Sequence, residues 1–399
     1  MLGLWGATTL VTAGMVGAGI LILPSILAVF GSWSILGWFL AAGMSYSIAT
    51  IFGRLSRSFK GGAGPVYYIG ETFGDNASFL ASWGYFIAMT ASSACSAIAL
   101  GMYASPVFGL EGTLFTPALI GVLFLSIIFI LNVLSGSSAN TVLLVMTAIK
   151  VVAFLLMGIF GFKNIGSYSP NFGPTTDLFK SASIAMFAFL GIEFASLTKV
   201  KDPEKNVMKA TKYGLFFATL VFLGVHCAVI FALPDAASSN RPVYDAAMVL
   251  FGNYGAVALG FVAVISCLST LHGILLVQAS TVENLSKKGW MPKMLSDLTK
   301  DGFAWKGGLA FVGIVVFAVL FAPDLAKKAN HMATAMVAIL YLACCFVDLK
   351  KHGLDIYNGL AIVSSLLILY NINLVMLAMI IGIYSAGLAL KFLNTQCKK

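Results

Sequence analysis

Two ionisable residues, Lys150 and Glu193, lie deep inside apolar stretches of this sequence. The chain has 24 lysines and arginines and 15 aspartates and glutamates, and we expect all the others to lie outside the hydrophobic runs. A charge at the centre of a bilayer costs about 2.5–3.5 kcal/mol on insertion scales. Both side chains are therefore expected to face a cavity or a partner.

Each of these residues has a functional and a structural interpretation. Lys150 lies about ten residues from either end of its run, too far for its ammonium group to reach the membrane surface. It is either a fixed or titrating cation in the place of a bound sodium ion, or a structural lysine bonded to carbonyls of a neighbouring helix. Glu193 either carries a proton or holds a broken helix through hydrogen bonds.

Glycines interrupt two of the hydrophobic runs. Gly14, Gly17 and Gly19 fall within six positions and precede Pro24, and Gly191 lies two residues before Glu193. Each glycine weakens a helix by about 1 kcal/mol relative to alanine. Either the backbone is broken here and lines a binding cavity, or small residues allow close helix packing.

The elements that must position these residues are membrane-spanning helices. With 399 residues, 59% hydrophobic content, 10% charged residues and a mean hydropathy of +0.95, the chain is not an ordinary soluble domain. Its runs are long enough to cross a bilayer core of about 30 Å as helices. We predict an all-α integral membrane protein with twelve transmembrane helices, at about 5–30, 33–53, 78–103, 116–135, 141–162, 181–198, 213–233, 255–280, 306–322, 330–347, 354–371 and 374–394.

Charge distribution predicts the orientation. Most lysines and arginines fall in loops on the side of the N-terminus, so both termini are expected in the cytoplasm and the protein in the plasma membrane, as in a bacterial inner membrane. The first run lacks a basic region and a cleavage pattern, so we interpret it as a retained span. Residues 1–399 are predicted to form a single transmembrane domain.

The spacing of the two interrupted spans predicts an inverted repeat with discontinuous helices 1 and 6. Repeat one covers about 5–162, repeat two about 181–347, and two extra helices about 354–394. In such folds the N-terminal ends of half-helices bind a substrate carboxylate, and exposed carbonyls bind an ammonium group. The substrate is therefore expected to be an amino acid or a similar molecule.

Three motifs together resemble the amino acid, polyamine and organocation superfamily, and its arginine/agmatine antiporter branch in particular. They are G-x-x-G-x-G-x-x-x-x-P at Gly14–Pro24, F-x-F-x-G-x-E at Phe187–Glu193, and T-x-I-K at Thr147–Lys150. The resemblance implies a secondary transporter that works by alternating access. It also places Lys150 where sodium-coupled relatives bind an ion, so sodium coupling is not expected.

The resemblance also implies a substrate site. The α-carboxylate would bind at Met15, Val16, Gly17, Ala18 and Gly19, the ammonium group at Phe187, Ala188 and Leu190, and the side chain among Ala88, Met89, Ser93, Ile274 and the neighbourhood of Ala333. Ser93 stands for an asparagine, Ile274 for a tryptophan and Phe187 for a gating tryptophan of the arginine exchangers. The first two differences argue against arginine.

Apart from Glu193, this site offers no predicted carboxylate to a second positive charge, so we expect a neutral or weakly polar amino acid. Transport would be proton-coupled or an exchange. The alternative is an arginine/agmatine, ornithine or polyamine antiporter, and a channel or structural subunit would leave the broken helices unexplained. No H-E-x-x-H or G-x-S-x-G motif indicates an enzyme. The partners expected are a small amino acid or amine and membrane lipid; protons and a homodimer stay open, and cofactors, metals and nucleic acid are not expected.

Overall fold

A computed structural model describes residues 2–59, 64–112, 116–134, 139–198, 200–300, 302–370 and 372–396. Within these residues the secondary structure is helical, apart from a single bridge between Leu2 and Val200. The prediction of an all-α membrane fold is confirmed. Inside a bilayer the backbone N–H and C=O groups must form their hydrogen bonds within the protein, and a helix provides these bonds within its own segment.

The chain opens with two short helices, α1 (Leu4–Met15) and α2 (Ala18–Ala28), which meet at a bend of 43°. The remaining helices are α3 (Trp33–Ser58), α4 (Pro65–Phe73), α5 (Asp75–Val107), α6 (Pro117–Leu134), α7 (Ala139–Gly161), α8 (Thr176–Ala185), α9 (Phe194–Leu197), α10 (Pro203–Ala232), α11 (Pro242–Lys287), α12 (Trp305–Phe321), α13 (Pro323–His352), α14 (Ile356–Tyr370) and α15 (Leu374–Gln396). A 3₁₀ segment, Met186–Phe189, follows α8 and leads towards α9.

Each of the twelve predicted spans corresponds to helical structure in the described part of the chain. Within the described residues, nine segments are long and apolar enough to cross a membrane, and there are ten when the bent α1–α2 pair is counted as one span. The shorter apolar helices α12 and α14 lie where spans 9 and 11 were predicted. That these two cross the membrane, and that the two halves are inverted repeats, stay predictions.

α5 is the central helix of the bundle. In its most apolar stretch 89% of the residues are buried, against 11% for α15, which lies at the periphery. α5 packs against α6, α11 and α13, while α1 packs against α7, α10 and α11. Small residues such as Ala91, Ser92, Ser93 and Ala94 line α5, and such residues let helix backbones approach closely.

One sequence expectation is corrected by the length of α13. The predicted span ended at residue 347, but the helix continues to His352 and includes Asp348, whose side chain is fully buried. Asp348 is therefore a buried carboxylate on a helix of the bundle, just beyond the end of the predicted span. The cluster of charged residues from Asp348 to Lys351 lowers the local hydropathy, although it does not interrupt the helix.

Candidate functional site

The first helix break lies between α1 and α2. Val16 (φ −79°, ψ 79°) and Gly17 (φ −132°, ψ −136°) leave the helical conformation. The last carbonyls of α1 and the first amides of α2 consequently have no partner within their own helix. α1 thus presents a partly negative end and α2 a partly positive end on either side of the break.

The second break separates α8 from α9. After the 3₁₀ segment Leu190 is extended, with φ −61° and ψ 134°, and Gly191 has φ +106°. A residue with a side chain is strained at this angle, and a methyl group on Gly191 would also lie 2.9 Å from the carbonyl carbon of Gly14. Gly191 is therefore required both by its conformation and by the approach of α1.

The structure brings the two breaks together. A methyl group added to Gly14 would lie 2.8 Å from the Phe194 ring, and one on Gly19 would lie 3.2 Å from the Cα atom of Ala188. Close packing thus accounts for the glycines, and backbone unwinding occurs at the same place. Both the broken backbone and the close packing are therefore present, and the role of the breaks as a binding cavity stays a prediction.

Lys150, on α7, points its ammonium group at the end of α1. Its Nζ donates to the carbonyl oxygen of Val16 at 2.5 Å, that of Ala13 at 3.1 Å, and Oγ of Ser269 at 2.6 Å. An ammonium group has three N–H donors, so these three acceptors match its full capacity. The residue is completely buried, and the negative end of α1 offsets part of the cost of its charge.

Hydroxyl groups of α11 complete this polar cluster. Ser266 Oγ donates to the carbonyl oxygen of Val16 at 2.9 Å, and Thr270 Oγ1 donates to that of Ala13 at 2.7 Å. The freed carbonyls of α1 are thus shared between α7 and α11. Carbonyl and hydroxyl oxygens of this kind are the ligands that hard cations prefer, and here they surround the ammonium group of Lys150.

The carboxylate of Glu193 hydrogen-bonds to α5, to α13 and to the backbone of the second break. Its Oε1 accepts a hydrogen bond from Tyr85 of α5 at 2.8 Å, and its Oε2 accepts one from Tyr341 of α13 at 2.6 Å. Oε2 also accepts from the backbone N–H of Gly191 at 3.2 Å. All three side chains are buried. The carboxylate therefore fixes the break and joins it to the two helices on either side.

The other predicted site residues are buried in the same bundle. These are Met15, Val16, Ala18, Ala88, Met89, Ser93, Phe187, Ala188, Leu190, Ile274 and Ala333. Ser93 Oγ has no hydrogen-bond partner within the described residues. The residues of the two breaks contact each other directly. Ala88 and Met89 lie on α5 and Ile274 lies on α11, and these two helices pack against each other.

A cavity of about 340 Å³ lies beside the second break, with Phe187 in its wall. Ile22 and Leu23 of α2, Ser183 of α8 and Thr334 of α13 also line it. A larger recess, of about 1280 Å³, lies between the end of α5 and the α10–α11 connection and contains no predicted site residue. The smaller cavity is therefore the one associated with the breaks.

Sequence reasoning missed Tyr85, Tyr341 and the hydroxyl residues of α11. Ser266, Ser269 and Thr270 share one helix face through their spacing of three and four residues, and this polar face in an apolar span was a usable signal. The tyrosines gave no such signal, because a single tyrosine in a hydrophobic run has no periodic pattern.

Two histidines of the bundle also have hydrogen-bond partners. His226 is hydrogen-bonded to Ser34 at 2.7 Å, and His272 is hydrogen-bonded to Asn132 at 3.2 Å.

An all-helical membrane bundle with two facing helix breaks and buried polar groups is the architecture of a secondary transporter. Residues 2–390 match the amino acid permease family, and the chain belongs to that family. It is a transporter and not an enzyme.

Similar proteins agree with this assignment. The chain is 26% identical over 394 residues to the cadaverine/lysine antiporter of Escherichia coli (strain K12), covering 92% of this chain and 87% of the relative. It is 25% identical over 325 residues to the putrescine transporter PotE of the same organism, covering 78% and 73%. Among solved structures, MhsT in complex with L-phenylalanine has a TM-score of 0.64 at 12% identity, covering 98% of this chain and 97% of that one. The structural likeness concerns the fold, and the relatives support the antiporter branch of the superfamily.

Proposed function

We propose that the two helix breaks form the substrate site and that the substrate is an amino acid. The first amides of α2, from Ala18 onwards, would bind its α-carboxylate, because a helix N-terminus carries free N–H groups and partial positive charge. The backbone at Phe187, Ala188 and Leu190 would accept from its ammonium group. The observation that carries the proposal is the direct approach of Gly19 to Ala188, because it brings the two interrupted backbones together beside the cavity that Phe187 lines.

The substrate side chain would lie among Ala88, Met89, Ser93, Ile274 and the neighbourhood of Ala333. The carboxylate of the second break, Glu193, already accepts from Tyr85, Tyr341 and the Gly191 amide. A second cationic group would therefore have to compete for an occupied carboxylate, and burying an uncompensated charge is costly. A neutral or weakly polar amino acid fits this pocket best.

Transport of the substrate is proposed to be coupled either to protons or to the exchange of a second substrate molecule. Lys150 is held by carbonyls of the break itself, so a change in its protonation would change the bonding of the α1 end. Sodium coupling is disfavoured, because the lysine ammonium group occupies the oxygen cluster that a cation would need. Glu193 is the second candidate for a titrating group.

A cationic substrate is the second candidate function. The relatives named for cadaverine, lysine and putrescine favour it, and exchange of an amino acid for its amine would then be the reaction. In this case Glu193 would have to release one of its tyrosines to pair with the substrate.

Uptake into proteoliposomes tests these alternatives. Labelled neutral amino acids, lysine, arginine and putrescine would each be offered with and without an inward proton gradient, and with and without unlabelled substrate inside. We expect saturable uptake of a neutral amino acid. Uptake restricted to lysine or putrescine, and dependent on internal substrate, would overturn the neutral-substrate proposal and establish the cationic exchanger.

A further inference from the structure

Two lysines from different parts of the chain lie against one tryptophan at the lysine-rich end of the bundle. Trp290 follows α11, and the Nζ atom of Lys288 is 4.6 Å from the centroid of its ring. The Nζ atom of Lys391, near the end of α15, is 4.8 Å from the same centroid. Both ammonium groups therefore contact the same ring, although the two lysines lie far apart in the sequence.

The start of α5 fixes the positions of both ammonium groups. Lys288 Nζ donates to Ser78 Oγ at 3.1 Å, and Lys391 Nζ donates to Asn76 Oδ1 at 2.7 Å. Phe79 packs edge-on against Trp290, with ring centroids 5.5 Å apart. Trp290 is 7% exposed, so its ring is buried, and both ammonium groups pack against it.

Two acidic residues lie near these lysines among the described residues. Glu283, the acidic residue on the last turns of α11, is paired with Lys287 at 2.5 Å. Asp75, in the first turn of α5, attracts Lys391. Two like charges over one ring repel each other, since cation–π attraction of about 0.5–1 kcal/mol at exposed sites does not remove their mutual repulsion. An anion placed between them would relieve it.

The surroundings of Lys391 identify the kind of anion. Its neighbours on α15 are apolar and open to the bilayer: Leu390, Phe392 and Leu393 are 47%, 61% and 60% exposed. Tryptophan and lysine at the ends of spans lie at headgroup depth, and basic pockets between spans bind anionic headgroups. A ligand here would have its charge at the lysines and its apolar chains along α15.

We propose that Lys288 and Lys391, over Trp290, bind the phosphate of an anionic phospholipid whose acyl chains pack on the outer face of α15. The bound lipid links α15 to the ends of α5 and α11. Its phosphate oxygens accept from both ammonium groups, which keep their contacts with Trp290. The site is separate from the helix breaks and does not depend on the identity of the transported substrate.

Native mass spectrometry of the purified full chain tests the proposal. The probes are phosphatidylglycerol and phosphatidylcholine, which share acyl chains and differ in charge. We expect selective retention of phosphatidylglycerol, and roughly 30-fold weaker retention in the double variant Lys288→Ala/Lys391→Ala, given about 1 kcal/mol for each lysine near a charged surface. The variant Lys288→Arg/Lys391→Arg should retain the lipid, because both charges remain.

The matched control is Lys287→Ala/Lys293→Ala, which removes two exposed lysines from the same end of the molecule. Equal loss of phosphatidylglycerol in this control would show diffuse attraction to a basic surface and overturn the site. Unchanged retention in Lys288→Ala/Lys391→Ala would overturn it as well. Displacement of the lipid by inorganic phosphate at similar concentration would assign the lysines to a soluble phosphate and contradict the lipid proposal. All of these experiments measure lipid binding, so their outcome does not depend on the transport activity.

Discussion

At the scale of single residues, Lys150 joins three parts of the transporter. Its ammonium group bonds Ala13 and Val16 of the first span and Ser269 of α11, while its own backbone belongs to α7. Removing it leaves two backbone carbonyls with fewer donors in a dry interior, and an unsatisfied buried polar group costs about 1–3 kcal/mol. The contacts of Lys150 therefore give it a structural role, and its role in coupling stays a proposal.

The variant Lys150→Ala is expected to lose the pH-dependent component of uptake, because the group proposed to titrate at the helix break is gone. Uptake into proteoliposomes at several external pH values measures this, and size-exclusion chromatography checks that the variant is folded. Lys163→Ala, which removes an exposed lysine just after α7, is the matched control. A normal pH profile in Lys150→Ala would remove Lys150 from the coupling mechanism.

A second prediction at residue scale concerns Gly17. A methyl group here would lie 2.6 Å from Thr270 Oγ1 and 2.8 Å from its Cγ2, so Gly17→Ala must push α11 away from the break or rotate Thr270. We expect a more than tenfold fall in uptake rate, equivalent to at least about 1.4 kcal/mol.

The control for Gly17 is Gly43→Ala in α3. A methyl group at Gly43 meets nothing within 4 Å, and alanine favours a helix by about 1 kcal/mol. This variant should be at least as stable as the original protein and fully active. Equal uptake by Gly17→Ala and Gly43→Ala would mean that the contact with Thr270 does not constrain the break.

At the scale of elements, the buried Asp348 connects the ends of α3, α13 and α14. Its carboxylate accepts from Arg54 at 3.5 Å, from His352 Nδ1 at 2.8 Å, and from Asn358 at 3.3 Å. Arg54 also pairs with Asp355 in the α13–α14 connection at 2.5 Å. This guanidinium group holds the pKa of Asp355 below its usual value, so that pair contributes at neutral pH and is lost as the pH falls through the acid range.

The variant Asp348→Asn should lower the melting temperature of the detergent-solubilised protein. It removes a buried charge that faces Arg54 and leaves donors of three helices competing for a weaker acceptor, a loss of about 1–3 kcal/mol. Asp355→Asn is the comparison. Its side chain is 36% exposed, and exposed ion pairs contribute about 0–1 kcal/mol. Equal melting shifts in the two variants would show that burial of Asp348 adds nothing.

At the scale of the whole molecule, the helix bundle surrounds the two helix breaks. α1 ends among α7, α10 and α11, so the carbonyls freed at the break meet hydroxyl and ammonium donors and not lipid. The orientation of this bundle is a proposal: the end with most lysines and arginines would face the cytoplasm, because basic loops are retained there.

Cysteine labelling tests that orientation. In intact cells a membrane-impermeant thiol reagent should leave Lys287→Cys unmodified and modify Lys180→Cys, since these exposed residues lie at opposite ends of the bundle. The reverse pattern would invert the proposed topology. All five cysteines within the described residues are buried, which favours a low background from them in this measurement.

The sequence by itself determined the membrane class, the approximate helices, both helix breaks and the two central ionisable residues, Lys150 and Glu193. These features are local or periodic: hydropathy, glycine spacing and a charge in an apolar run are all visible within one segment. Their family resemblance was equally visible, because its motifs are short and continuous.

Only the tertiary structure decided what those residues contact. The acceptors of Lys150 come from residues 13, 16 and 269, and the donors to Glu193 from residues 85, 191 and 341, and no local pattern links positions so far apart. The structure also extends α13 past the predicted end to His352, where Asp348 accepts a hydrogen bond from Arg54 of another helix. Packing determines which residues distant in the chain come into contact. A buried charge can therefore be recognised from the sequence, but the groups that stabilise it cannot.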